Sequence, residues 1–308
     1  MSTLLLTHPA CLTHEAGIGH PERPDRLRAV LQALESEAFG SLQRMEAPRA
    51  TEAEIARVHP ETYIARVKAA APESGLAQLD ADTAMSPGSL EAALRAAGAV
   101  VAAVNAVVEG RAENAFCAVR PPGHHAEPER AMGFCVFNNV AVGALAARKV
   151  HRLARIAVID FDVHHGNGTE AMFRDDPGLA YLSTHQSPLY PGTGAAESRG
   201  VGNLFNAPLP PFAGSEAFRR AFTDSLLPAL DAFEPELVMI SAGFDAHRND
   251  PLANLELDDE DYAWVTTELV EIARRHAHGR VVSTLEGGYD LAALARSAAA
   301  HVGALMTG

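Results

Sequence analysis

Short apolar runs rich in β-branched residues alternate along this chain with longer alanine- and leucine-rich segments at helical spacing, and few folds accept that alternation. A strand, a crossover helix and a second strand lie side by side most readily as a parallel sheet with helices packed on its faces. Strands buried on both faces read as near-continuous apolar runs rather than as alternating ones. Such runs place strands at Leu4 to Thr7, Ala115 to Val119, Arg155 to Asp162, Ala180 to Thr184, Glu236 to Ser241 and Arg280 to Leu285. Helices are expected at Arg23 to Glu37, Pro87 to Glu109, Asn138 to Leu153, Ser215 to Phe233 and Asp258 to His276. Thr51 and Glu54 have capping-box spacing, and Pro87 after Ser86 suits a first helical turn. Gly- and Pro-rich stretches at Arg120 to His125, Tyr190 to Gly202 and Asn206 to Gly214 read as loops. The fold class is α/β with a mainly parallel sheet, and the 308 residues show no break between two cores, so a single domain over 1–308 is expected.

Composition narrows the partners. A formal net charge of −14, with Lys68 and Lys149 the only lysines, leaves no basic stripe to hold a polyanion, so no nucleic acid is expected. Cys11, Cys117 and Cys135 are odd in number, far apart and without a C-x-x-C pair, which supports neither a disulfide framework nor a cysteine zinc cluster. A reducing, cytoplasmic setting fits that usage. The amino-terminal apolar patch has no basic flank, and no uninterrupted run reaches the roughly 18 apolar residues of a membrane span, so no export signal or membrane contact is expected.

In an open parallel sheet, ligands collect beyond the carboxyl ends of the strands, and this chain sets its polar groups there. The run Ile156 to Asp160 continues into Phe161-Asp162-Val163-His164, and if the chain stays extended Asp160, Asp162 and His164 share one side. Two carboxylates and an imidazole can hold a divalent cation with one coordination position left for water. The required second carboxylate could come from Asp245, in Gly243-Phe244-Asp245 after another apolar run. A further run exits through Glu286-Gly287-Gly288-Tyr289, and another through Arg120-Pro121-Pro122-Gly123-His124-His125. A lone Asp at a strand exit is more often a turn former, a His-His pair a surface feature, and Gly-Gly-Tyr a loose turn. Unrelated turns would seldom put all of these at strand exits in one chain.

With these motifs the chain resembles the histone deacetylase superfamily over nearly its whole length, including bacterial deacetylase-like amidohydrolases and acetylpolyamine amidohydrolases. The matching stretches are His20 to Arg26, Arg120 to His125, Gly133 to Asn139, Asp160 to Gly168, Tyr190 to Gly194, Ser241 to Asp245 and Glu286 to Tyr289. The resemblance implies an arginase-deacetylase fold, a three-layer α/β/α arrangement around a central eight-stranded sheet, with one zinc at the floor of a narrow tunnel; iron could take its place in cells. It implies Asp162, His164 and Asp245 as metal ligands, His124 and His125 as the catalytic pair oriented by Asp160 and Asn167, and Tyr289 as donor to the developing oxyanion. Asn167 rather than Asp resembles the class II branch. Gly133, Phe134, Tyr190 and Leu252 would line the tunnel, Asp82 would stand at its rim, and Arg26 near an internal exit pocket. Asp160 and Ser183 would help hold a structural potassium ion.

Where dinuclear arginases need further carboxylates this chain has Gly166 and His247, and where polyamine-selective relatives carry a gatekeeping glutamate it has Leu252. The expected activity is therefore removal of an acetyl or short acyl group from the ε-amine of lysine in a protein or peptide, with acetylpolyamine or other small-amide deacetylation as the alternative. A silent acyl-lysine-binding module would have no use for the proton-shuttling pair. The oligomeric state is not readable from the residues.

Overall fold

The computed structural model describes residues 2–307. Its strands are β1 Thr3–Thr7, β2 Gln43–Glu46, β3 Ala77–Asp80, β4 Thr83–Met85 and β5 Asn114–Cys117, then β6 Ile156–Asp160, β7 Leu179–Gln186, β8 Leu204–Leu209, β9 Leu237–Ala242 and β10 Val281–Leu285. The α-helices in the first half are α1 Pro24–Ala33, α2 Glu52–Ile55, α3 Glu61–Ala70, α4 Ser89–Val108 and α5 Asn139–His151. Those in the second are α6 Asn167–Phe173, α7 Ser215–Ala221, α8 Leu227–Phe233, α9 Asp259–His276 and α10 Leu291–Thr307. Eight strands form one sheet in the order β2-β1-β5-β10-β9-β6-β7-β8, and β3 and β4 form a separate hairpin. Every pairing in the large sheet is parallel, so all its carboxyl ends open on one edge.

Flanking helices bury both faces. α4 and α5 pack on each other and on the central strands, while α9 and α10 pack together with α1 beside them. The strands between them are accordingly buried along their full length: β5, β6, β7, β9 and β10 have no exposed residue. α4 has 20 residues and contains an 18-residue window of mean hydropathy 1.5, long and apolar enough by length and composition to cross a membrane, although Glu91 and Arg95 interrupt its apolar run. It spends that apolar surface inside the molecule, since 72% of the apolar window is buried.

Several boundaries depart from the sequence reading for identifiable reasons. β2 and β8 were not expected, and residues 206–209 of β8 fall in a stretch read as loop. Both are edge strands, half-exposed and free of the apolar continuity that marks a central strand, and β8 carries Pro208 where only an edge tolerates it. Pro87 lies outside α4, which starts after Gly88 at φ 91°. The helix expected from Ser215 to Phe233 is three pieces, because residues 222–226 widen into a π-turn ahead of Pro228. α10, rich in alanine, was not anticipated. The capping box forms as expected, with Thr51 Oγ1 accepting from Glu54 N–H and Glu54 Oε2 accepting from Thr51 N–H.

Candidate metal centre

Five adjacent strands, β5, β10, β9, β6 and β7, deliver the chemistry from their carboxyl ends. β6 stops at Asp160, sooner than expected, so strand alternation does not align Asp162 and His164. A bend does so instead: Asp162 Oδ1 accepts the His164 amide at 2.9 Å and lies 3.1 Å from His164 Nδ1. Asp245, from the exit of β9, brings Oδ2 to 3.1 Å from the same nitrogen, while its Oδ1 accepts the Val163 amide at 2.9 Å. One ligand atom from each residue lies within 4.8 Å of the others; Asp162 and Asp245 are buried, and the His164 side chain is 12% exposed.

This donor set fits a divalent cation. Two buried carboxylates facing each other need a positive charge between them; despite burial, Asp162 and Asp245 hold the His164 imidazole at a pKa of about 10, so a proton supplies it when no cation does. Space is reserved as well. A Cβ on Gly287 would stand 2.1 Å from Asp245 Oδ2 and 2.6 Å from Asp162 Oδ2, so the backbone must pass here without a side chain. The Gly287 amide uses that approach to donate to Asp162 Oδ2 at 2.8 Å.

Next to this cluster the exit of β5 carries His124 and His125, their ring centroids 4.0 Å apart. His124 Nδ1 meets Asp160 Oδ2 at 2.9 Å, and His125 Nδ1 meets Asn167 Oδ1 at 2.8 Å. Burial discharges both rings, but the Asp160 and Asp162 carboxylates overturn it for His124 and hold its pKa well above the usual value. His125 has no such partner; burial and the neighbouring positive charges of His124 and His164 keep it well below. Paired groups driven apart in this way divide into a charged member and a neutral base. Glu286, quoted in the sequence motif without a role, accepts the Gly123 amide at 2.6 Å and the His124 amide at 3.2 Å, fixing the backbone that carries the pair.

The cluster floors a tunnel with a cavity of about 210 Å³. Phe134, Leu189, Tyr190, Leu252 and Gly133 line it, Asp82 stands in its wall, and His125, His164 and Tyr289 border it. Tyr190 sets its ring edge-on to His125 at 5.2 Å, and Phe134 meets Tyr289 at 6.1 Å. Asp82 Oδ1 accepts the Gly133 amide at 2.9 Å and the Thr83 hydroxyl at 2.7 Å. Burial raises the Tyr289 pKa well above a free phenol's, so its hydroxyl keeps its proton. Arg26 lies 4.7 Å over the Tyr289 ring and donates to the carbonyls of Gly288 and Glu286, each at 2.5 Å. From the other side Asp250 Oδ2 accepts the Tyr289 amide at 2.7 Å. Asp250 had no distinguishing signal in the sequence, since an acid that works through main-chain amides leaves no motif. Asp160 and Ser183, adjacent in the β6–β7 register, are engaged with Tyr181 and His185 respectively.

Comparison with known proteins gives one consistent result. The family model of the histone deacetylase domain matches residues 20–305. The histone deacetylase-like amidohydrolase of Pseudomonas aeruginosa is 41% identical over 281 residues, covering 89% of this chain and 74% of that protein. A probable deacetylase of Archaeoglobus fulgidus is 38% identical, covering 94% of this chain and 82% of its own length. The crystal structure of the HDA15 HD domain superposes with a TM-score of 0.94 at 35% identity, over 99% of this chain and 88% of that one.

Proposed function

Because the chain belongs to the histone deacetylase family, whose named relatives are deacetylases and amidohydrolases, we propose that it is a zinc-dependent hydrolase removing an acetyl or short acyl group from lysine ε-amines in proteins or peptides. The observation that carries the reading is the tunnel: a narrow apolar corridor with Tyr289, His125 and His164 at its border suits one unbranched methylene stem with an amide at its tip. Asp162, His164 and Asp245 would hold the zinc, with iron as the substitute in cells. A divalent cation there would polarise the amide carbonyl and acidify water.

This chain's own residues do the remainder. Neutral His125 takes the proton of the attacking water through Nε2 and returns one to the departing amine. His124, held charged by Asp160, stabilises the negative charge that accumulates beside it. Tyr289 donates its hydroxyl to the carbonyl oxygen as that oxygen gains charge. Phe134, Tyr190, Leu189 and Leu252 exclude water from the stem. Asp160 and Ser183 are the side chains we assign to a structural potassium ion. Three buried free thiols, Cys11, Cys117 and Cys135, favour a reducing cytoplasm.

Asp82 gives the alternative its footing, since a carboxylate at the tunnel wall could also meet the second cation of an acetylated polyamine. Parallel turnover by the zinc-loaded protein separates the two. The reading expects kcat/KM to favour an acetyl-lysine peptide over acetylated polyamines; the reverse order would transfer the assignment to polyamines, and hydrolysis of neither would end it.

A further inference from the structure

Beside the histidine pair stands a carboxylate to which the reaction has assigned nothing. Glu127 is half-buried, and its Oε1 accepts from Asn167 Nδ2 at 2.8 Å. The same Asn167 amide presents Oδ1 to His125 Nδ1 at 2.8 Å, so one side chain links Glu127 to the base.

An asparagine amide has nearly the same shape when turned end for end, and its neighbours decide which end faces where. With Oδ1 toward His125, the imidazole must carry its proton on Nδ1 and keep Nε2 free. Turned over, the amide NH₂ would donate to Nδ1, the ring's proton would move to Nε2, and Nε2 could accept nothing. Asp160 offers His124 no such choice, because a carboxylate only accepts.

The groups around Asn167 Nδ2 are Glu127 Oε1 at 2.8 Å, Met132 Sδ at 3.4 Å and the His125 carbonyl at 3.5 Å. All are acceptors. The thioether is a weak one and the carbonyl lies at the limit of a hydrogen bond, whereas the carboxylate forms a charge-assisted bond. Turning the amide would also set Oδ1 against the Glu127 oxygen. Glu127 is itself fixed near the pair, by mutual main-chain hydrogen bonds with Arg130 at 2.9 and 3.4 Å.

We propose that Glu127 is a positioning residue for the reaction: it orients the Asn167 amide, and through it sets the His125 tautomer that leaves Nε2 to act as the base. The assignment rests on the amide-hydrolysis reading for its consequence, but its physical content is independent of the substrate.

The test combines histidine ¹⁵N NMR of the zinc-loaded protein with steady-state turnover of an acetyl-lysine peptide. The unsubstituted protein should hold His125 as the Nδ1–H tautomer, and Glu127→Ala should shift it wholly or partly to Nε2–H. In that variant kcat should drop by roughly ten- to a hundredfold, no more than the lower end of the roughly 10²- to 10⁴-fold a positioned base contributes, with KM nearly unchanged. Glu127→Gln, which still offers an amide oxygen, should recover most of the loss. An unaltered tautomer in Glu127→Ala overturns the proposal even if kcat falls, because general weakening would do that too. Were the peptide not hydrolysed while the tautomer still shifted, the deacetylase reading would fail and the positioning role would stand.

Discussion

His124 and His125 are neighbours in sequence with ring centroids 4.0 Å apart and planes tilted by 44°, yet they differ in charge, and the group facing each Nδ1 contributes to the difference. A carboxylate faces the first Nδ1 and an amide oxygen the second. The same residue-level logic gives two tests. Replacing Tyr289 by Phe removes a donor and leaves the cavity's shape, so zinc content should stay near that of the unsubstituted protein while kcat falls by roughly a hundred- to a thousandfold; turnover within a few fold of normal would withdraw the oxyanion role. Gly287→Ala would drive a methyl against Asp245 and Asp162 oxygens at 2.1 and 2.6 Å. Zinc affinity, measured by chelator competition, should therefore drop at least tenfold with the far-ultraviolet spectrum retained, and undiminished affinity would show that the backbone can yield. At this scale Asp162, His164 and Asp245, the histidine pair and Tyr289, which the fold brings together, could be picked out because each sits in a motif at a strand exit. Glu286, Asp250 and Glu127 were not, because they act through amides contributed by distant segments.

Elements are decided by what covers them. β6 and β9 could be read directly because both faces are buried and the apolar run is unbroken. β2, whose residues are all exposed or half-exposed, belongs to the sheet by its pairing with β1 and by Met45 packed on the core. α4 makes the point quantitatively. The segment 48–50 crosses it so closely that a Cβ on Gly98 would lie 2.1 Å from the Pro48 carbonyl oxygen and 2.6 Å from the Ala50 nitrogen. Alanine is favoured over glycine in a helix by roughly 1 kcal/mol, whereas overpacking costs about 1–3 kcal/mol. Both obstructing atoms are backbone, so the steric term wins. Gly98→Ala should lower the denaturant midpoint at constant m-value, and a raised midpoint would mean that the crossing segment moves aside without cost.

The molecule as a whole carries its histidines in two ways, some balanced by carboxylates and some discharged by burial. Burial lowers His59 and His185 to about 4 and His301 to about 3. His301 lies away from the metal centre, its ring nitrogens bonded to Thr266 Oγ1 at 2.6 Å and Ser283 Oγ at 2.8 Å. The unfolded chain protonates such a ring near its ordinary 6.5, before the folded chain does. Stability from this source is thus complete above that pH and is lost as pH falls toward about 3, at about 1.4 kcal/mol per pH unit for each proton. His301→Asn should flatten the decline between those limits by close to one proton, as read from denaturant titrations at several pH values. An unchanged slope would mean that His301 is protonated in the folded state.

Local periodicity determined the α/β class, the central strands and the residues waiting at their ends, because side-chain direction and burial repeat every two or 3.6 residues and are written in adjacent positions. Only the tertiary structure decided which of those ends meet. Asp162 and Asp245, separated by 83 positions, face each other because β6 and β9 pair in the sheet. The tunnel wall is likewise assembled from loops that share no local pattern. Parallel crossovers carry the chain past its neighbours before it returns, so adjacency at the site depends on the order of the strands, a property of the whole packed sheet.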